Sequence, residues 1–312
     1  MAFVTVSIAW GTTYGGIKIA VEHFPPFAMA AMRFIVAGVA MMLAFRAIGI
    51  PFPARMDWLR ILPVGFLLLS LSNSLLSLAE KSVSSSFAAL MVNTAPLIFV
   101  GLNAWFGERV PRLAWVGLIV GFCGVGVLVL PEIGGAEMAG HGNSEVPIAA
   151  WIALIVGPVC WALGGFVAAK RPASGNPLMI SGAQTLVGGV GALLISCVSG
   201  EIFHVDIAAA PARAWLAIGW LIVVGSWLGF VSYMYCVMRL SSHRTASITY
   251  INNIVAVLVG VFFLGESITI WMLAGGATLL LGVYIVNTAK TAASEKIKDS
   301  GESDALNNEK AG

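Results

Sequence analysis

Ten apolar runs, each close to the roughly 20 residues that a helix needs to cross a bilayer, alternate along this chain with short polar or proline-marked breaks. Their limits are about 1–21, 27–47, 58–79, 84–106, 111–131, 147–169, 177–199, 213–237, 243–264 and 268–288. Pro25-Pro26, Pro51, Pro53 and Pro111 punctuate the breaks, because proline starts a helix well and continues one badly. The first run lacks a basic flank and is interrupted by Thr12-Thr13-Tyr14-Gly15-Gly16, so it reads as a retained helix and not a signal peptide. Residues 132–146 form the longest connection, rich in glycine with Glu132, Glu137 and Glu145, and the chain turns polar over 289–312. The pattern predicts an all-α integral membrane protein with ten transmembrane helices.

Two runs carry polar residues where hydrocarbon would penalise them. Asn93, Thr94 and Pro96 occupy the middle of the fourth run; Tyr250, Asn252 and Asn253 occupy that of the ninth. Such centres belong against protein or a water-filled cavity. Both runs close on a Gly-Glu pair, Gly107-Glu108 and Gly265-Glu266, and the same offset matches Gly117 with Gly275 and Gly124 with Gly282. A slightly shorter offset matches Trp10 with Trp161, Pro26 with Pro177 and Arg33 with Gln184. Runs one to five therefore repeat as runs six to ten. Five is odd, so the second copy must enter the membrane from the opposite side. The expected division is a five-helix repeat over 1–131, an extracytoplasmic connection over 132–146, a second repeat over 147–288 and a cytoplasmic tail over 289–312. Inverted repeats with polar-centred helices in corresponding places are the signature of a secondary transporter with its site at mid-depth.

Composition and charge agree with a membrane location. The chain is 59% hydrophobic and only 10% charged, with a mean hydropathy of +0.92, which excludes an ordinary soluble domain. All fifteen acidic residues fall at run ends, in connections or in the tail. Arg46, Arg55, Arg60, Arg109, Arg112, Lys170, Arg171, Arg239, Arg244, Lys290, Lys296, Lys298 and Lys310 lie on the side of the termini, against Lys18, Lys81 and Arg213 on the other. The bias places both termini in the cytoplasm, in the plasma (inner) membrane of a prokaryote. Cys123, Cys160, Cys197 and Cys236 stand singly, which argues against a metal site or a disulfide framework. The absence of GxxxxGK[ST] removes ATP hydrolysis, and the absence of HExxH, GxSxG and paired intramembrane Asp removes the usual membrane enzymes. No cofactor is expected, and a net charge of +2 implies no nucleic acid partner.

Several residues inside the runs are candidates for a substrate site. Pro96 removes a backbone donor and frees a carbonyl about one turn earlier, either for a substrate or for a neighbouring helix. Asn93 shares a face with Ser86 and Ala89, as a substrate hydrogen-bonder or an interhelical one. Asn252 and Asn253 are adjacent and cannot point the same way, so one faces the cavity. Arg33 offers a fork for a substrate carboxylate; the alternatives are snorkelling or a pair with Glu22 or Glu80. Trp10, Tyr14, Trp161, Trp227 and Tyr233 lie away from the run ends and suit an aromatic pocket lining or interhelical packing. Asn73 and Gln184 add polar surface. Glu108 and Glu266 read as structural or gating groups at equivalent helix ends, and Gly11-xxx-Gly15, Gly117-xxx-Gly121 and Gly225-xxx-Gly229 as close helix approaches.

Trp10-Gly11-Thr12-Thr13-Tyr14 with Lys18, the stretch from Pro26 to Arg33, and Pro96 to Gly107-Glu108, with Trp161, Pro177 and Gly265-Glu266 in the second copy, together resemble the EamA family of the drug/metabolite transporter superfamily over residues 1–288. The family's proline is missing from the ninth run, where Ile254 stands opposite Pro96. The resemblance implies a ten-helix, inverted-repeat exporter or permease of small metabolites, often amino acids or drug-like compounds. The function expected is non-ATP, alternating-access export or exchange, with proton-coupled multidrug efflux or a small-solute channel as alternatives. The partners expected are a small-molecule substrate and membrane lipid, with the chain a monomer or else a dimer.

Overall fold

Local chemistry explains where the helices begin and end in the computed structural model. Pro26 and Pro177 open their helices at the first turn, where the missing N–H costs nothing, and Asn176 Oδ1 accepts from Leu178 N at 3.0 Å. Ser84 Oγ accepts from Phe87 N at 3.2 Å as an N-cap. Gly107 and Gly265 end their helices in the left-handed region, at φ 82° and 69°. That conformation is why glycine stands before both Glu108 and Glu266.

The structure describes residues 1–108, 110–133, 146–240, 245 and 247–289, with 131–133 described by backbone alone. Arg109, Arg244, Glu137, Glu145 and the tail charges lie outside them, as do all of residues 134–145 of the connection and the tail beyond residue 289. Among the described residues there are helices and no strands. They are α1 (Ala2–Val21), α2 (Pro26–Ala47), α3 (Arg55–Glu80), α4 (Ser85–Trp105), α5 (Arg112–Ile133), α6 (Ile148–Lys170), α7 (Pro177–Val198), α8 (Ala212–Arg239), α9 (Ile248–Leu264) and α10 (Ile270–Ala289). Eight of these are long and apolar enough to cross a bilayer, α9 is a shorter apolar helix, and α1 falls outside both groups. The reason in α1 is its run of Thr12, Thr13, Tyr14 and Lys18, and protein encloses much of it: Gly11 meets Val255 and the Asn252 carbonyl of α9, and Gly15 meets Val259.

The outer surface is apolar: Val36, Leu43, Ile119, Leu194, Val223 and Phe262 are all exposed. Water would oppose such a coat, whereas lipid accepts it. Without a hydrophobic force between helices in lipid, close packing carries the assembly, and glycine makes it possible. A side chain at Gly38 of α2 would meet Leu186 Cα of α7 at 2.6 Å, and one at Gly189 of α7 would meet the Phe34 carbonyl carbon of α2 at 2.8 Å. Likewise Gly117 and Gly124 of α5 oppose the carbonyls of Gly282 and Gly275 of α10, and Gly282 and Gly275 oppose those of Gly117 and Gly124.

Two helices depart from regular α geometry. α4 breaks at Asn93-Thr94, just ahead of Pro96. α3 over Phe66–Asn73 and α8 over Leu221–Leu228 widen into π-helical turns, in which Ser226 Oγ reaches back five residues to the Leu221 carbonyl at 3.1 Å. Such turns are frequent at functional sites, and both of these reach the central cavity.

Candidate functional site

The break in α4 follows from its residues. Pro96 cannot donate, and the Asn93 side chain turns back along its own helix, Nδ2 donating to the Ala89 carbonyl at 2.7 Å and the Leu90 carbonyl at 3.3 Å. Thr94 Oγ1 does the same to the Met91 carbonyl at 2.8 Å. The polar centre of the helix is therefore satisfied locally, and it sits beside a hollow.

That hollow has two connected parts. A wide part of about 490 Å³ is lined by Trp10, Phe99, Trp161, Tyr233, Thr249 and Asn287 among others, and reaches Leu240 and Thr245, where α8 ends and α9 begins. A narrower part of about 160 Å³ runs from Asn93 past Tyr14 and Asn73 to Arg33. Trp10, Ala95, Pro96, Trp161, Thr249 and Asn252 line both parts, which makes them one chamber with a waist. Its size suits a small metabolite, and its apolar walls with a few polar tips are those of a small-molecule site.

Aromatic rings shape the waist. Trp10 stacks on Tyr233 with centroids 4.9 Å apart and meets Phe230 edge-on at 5.7 Å. Its Nε1 donates to the Gly225 carbonyl at 3.2 Å, and Gly229 makes room for the indole. At the far end Arg33 is 5% exposed. Its Nε donates to Ser226 Oγ at 3.3 Å, and its guanidinium lies 4.6 Å from the Phe34 ring centre. Among the described residues no carboxylate pairs with it within ion-pair distance; the ion pairs there are Asp57–Arg60 and Glu108–Lys170. A buried cation at the end of an apolar chamber is placed to receive an anionic group.

Of the residues singled out from sequence, Trp10, Tyr14, Arg33, Asn73, Asn93, Pro96, Trp161, Tyr233 and Asn252 line the chamber. Three are placed elsewhere. Gln184 is half-buried on α7, where its backbone carbonyl faces Gly65 of α3. Trp227 is 37% exposed and donates to the Ala37 carbonyl at 3.3 Å. Asn253 is buried with neither amide atom hydrogen-bonded; of the pair it is Asn252 that lines the chamber. Gly225 and Gly229 accommodate the side chains of Thr13, Arg33 and Trp10, the Val224 carbonyl of their own helix being the backbone atom near Gly229. Sequence reasoning passed over Thr13, Phe99, Phe230 and Thr249, although each stands three positions from a residue it had chosen, which is the spacing of one helix face.

The end of the chamber near Arg33 is closed by contacts between chain segments. Glu266, just past α9, accepts from Ser85 N at 2.6 Å, Ser86 N at 3.0 Å and Ser86 Oγ at 2.6 Å, capping α4. Lys18 Nζ donates to the carbonyls of Glu80 at 2.6 Å and Val83 at 2.9 Å. The equivalent Glu108 pairs with Lys170 in an exposed ion pair.

The model of the EamA-like transporter family matches residues 1–130 and 148–288. The chain belongs to this family. An uncharacterized inner membrane transporter of Escherichia coli K12, YedA, is 31% identical over 293 residues, covering 93% of this chain and 90% of its own length. A probable terminal-alkyne amino-acid exporter of Streptantibioticus cattleyicolor is 26% identical, with 92% of each chain covered. A protein of known crystal structure shares the fold with a TM-score of 0.61 at 19% identity, over 91% of this chain and 94% of that one. Members of the EamA-like family are transporters and not enzymes, and this chain is a membrane protein of that kind.

Proposed function

We propose that this EamA-like transporter exports or exchanges a small zwitterionic or anionic metabolite with an apolar or aromatic body, an aromatic or branched amino acid being the best fit, by alternating access without ATP. The observation that carries this reading is a single chamber with an aromatic waist that ends on the unpaired guanidinium of Arg33. A substrate carboxylate at Arg33 and a side chain between Trp10, Trp161 and Tyr233 would use both features. The exporter of S. cattleyicolor, named for amino acids, lends support.

The chamber widens where α8 and α10 end, the side to which the basic residues assign the cytoplasm, so this is the inward-open arrangement. Closure at the opposite end by Glu266 and Lys18 weighs against a channel. The cation at the chamber's end disfavours cationic drugs as cargo. The reciprocal glycine contacts of α2 with α7 and α5 with α10 support two halves, 1–131 and 147–288, related by a two-fold axis lying across the helices. That relation supplies the second, outward-open packing.

The test is counterflow in proteoliposomes preloaded with L-phenylalanine, L-leucine, L-arginine or choline. Saturable exchange of labelled phenylalanine or leucine, reduced roughly ten- to hundredfold by Arg33→Ala as expected for losing a charge-assisted hydrogen bond, is the expected result. Movement of choline but of no amino acid would overturn the substrate assignment, and a non-saturating ion conductance would overturn the mechanism.

A further inference from the structure

Glu80, the last residue of α3, is the most completely enclosed charged side chain of the molecule, with 0% exposure among the described residues. Neither of its carboxylate oxygens has a hydrogen-bond partner. An ionised carboxylate in that setting costs several kcal/mol, so the arrangement calls for a ligand that neutralises it.

The neighbouring groups do not do so. From α1, Lys18 gives its donors to the backbone carbonyls of Glu80 and Val83 and not to the carboxylate. From α2, Arg33 donates to Ser226 and forms no ion pair with Glu80 within 4.0 Å. Beyond α9, the Glu266 carboxylate is occupied by Ser85 and Ser86. Tyr14 of α1 is the remaining titratable neighbour. Among the described residues the nearby ends of α4 and α6 carry no acid or base, and Lys81, next to Glu80 in the chain, is exposed. Two cations and a second carboxylate thus surround Glu80 within electrostatic reach, yet each is held by other partners.

Its position joins two working parts. Tyr14 and Arg33 line the narrow end of the chamber and both feel the charge of Glu80. Lys18, and Glu266 with it, close the molecule beyond that end. Anything that changes the charge on Glu80 is therefore felt both by the group placed to hold substrate and by the closing contacts.

We propose that Glu80 is a proton-binding site of the transport cycle, linking the state of the Arg33 end of the chamber to the closure formed by Lys18 and Glu266. In the closed arrangement one carboxylate oxygen carries a proton taken from water. When the Lys18 and Glu266 contacts part, water reaches the carboxylate, the proton leaves to that water, and Lys18 and Arg33 serve as counter-ions to the anion. One proton is bound and one released per passage, and no covalent bond of the protein changes.

Proton binding can be read without any substrate. A pH-difference infrared spectrum of the purified full-length transporter in liposomes should contain the C=O band of a carboxylic acid free of hydrogen bonds. The band should vanish in Glu80→Gln and persist in Glu266→Gln. Its absence from the wild type, or its survival in Glu80→Gln, would overturn the proposal whatever the substrate is. If Glu80→Gln does not fold, Lys18→Met replaces it: the pH at which the band appears must move, and an unmoved band overturns the assignment. A second arm uses labelled L-phenylalanine. A pH gradient should change wild-type accumulation several-fold, whereas Glu80→Gln should ignore the gradient and retain counterflow. Equal gradient dependence in both proteins refutes the link, while phenylalanine transport failing in both with the infrared band intact condemns only the substrate reading.

Discussion

Arg33 shows how a residue that a bilayer would reject becomes affordable inside a protein. Its stem and head are enclosed, its Nε is hydrogen-bonded to Ser226, and Gly225 leaves the space its Nη2 needs. A methyl group on residue 225 would stand 2.7 Å from Thr13 Cγ2 and 3.0 Å from Arg33 Nη2, so Gly225→Ala must displace the Thr13 methyl and crowd the guanidinium. The expected outcome is a several-fold weaker apparent affinity for labelled phenylalanine with folded yield preserved. Gly219→Ala on the same helix, where a Cβ meets nothing within 4 Å, should leave uptake unchanged. Trp10 offers a parallel case: Trp10→Phe keeps a ring against Tyr233 but loses the Nε1 bond to the Gly225 carbonyl, a loss of about 1 kcal/mol. Substrate-dependent quenching of tryptophan fluorescence, compared between the two proteins, would report whether the ring borders the bound molecule.

At the scale of the element, α4 is the helix whose irregularity has work to do. Restoring a donor with Pro96→Ala should regularise the turn at Asn93-Thr94, keep or raise thermal stability, and lower the counterflow rate several-fold; an unchanged rate would make the break mere packing. Asn93→Ala removes both back-bonds to the carbonyls of Ala89 and Leu90; the Leu90 carbonyl keeps the Asn93 backbone N–H at 3.1 Å, so the loss falls on the Ala89 carbonyl and should cost about 1–3 kcal/mol, read as a lowered Tm. The helices themselves and this break were legible in the residues, because lipid forces apolar runs to be long and makes Asn93 and Pro96 conspicuous. Other features were silent for physical reasons. A π-helical turn over Phe66–Asn73 has the hydropathy of an α-helical one. A glutamate at a helix end, such as Glu80, reads the same whether it meets water or is sealed under Lys18. The face of α9 that carries Asn252 and not Asn253 depends on helix rotation, which adjacent residues cannot disclose.

For the whole molecule, the seams of α2 with α7 and of α5 with α10 are backbone against backbone. Gly124→Val would force a side chain against the Gly275 carbonyl, 2.8 Å from an added Cβ, and overpacking of this kind costs about 1–3 kcal/mol. Thermal unfolding followed by size-exclusion chromatography should register a clear drop, whereas Gly126→Ala, two positions along and facing open space, should be neutral.

Those seams have one more property. Gly117 opposes Gly282 as Gly275 opposes Gly124, and Gly38 opposes Leu186 as Gly189 opposes Ile35, so each surface is its own complement after half a turn. A surface of that kind does not depend on a covalent tether. Genes for residues 1–133 and 146–312, expressed together as separate polypeptides, should find one another in the membrane and assemble.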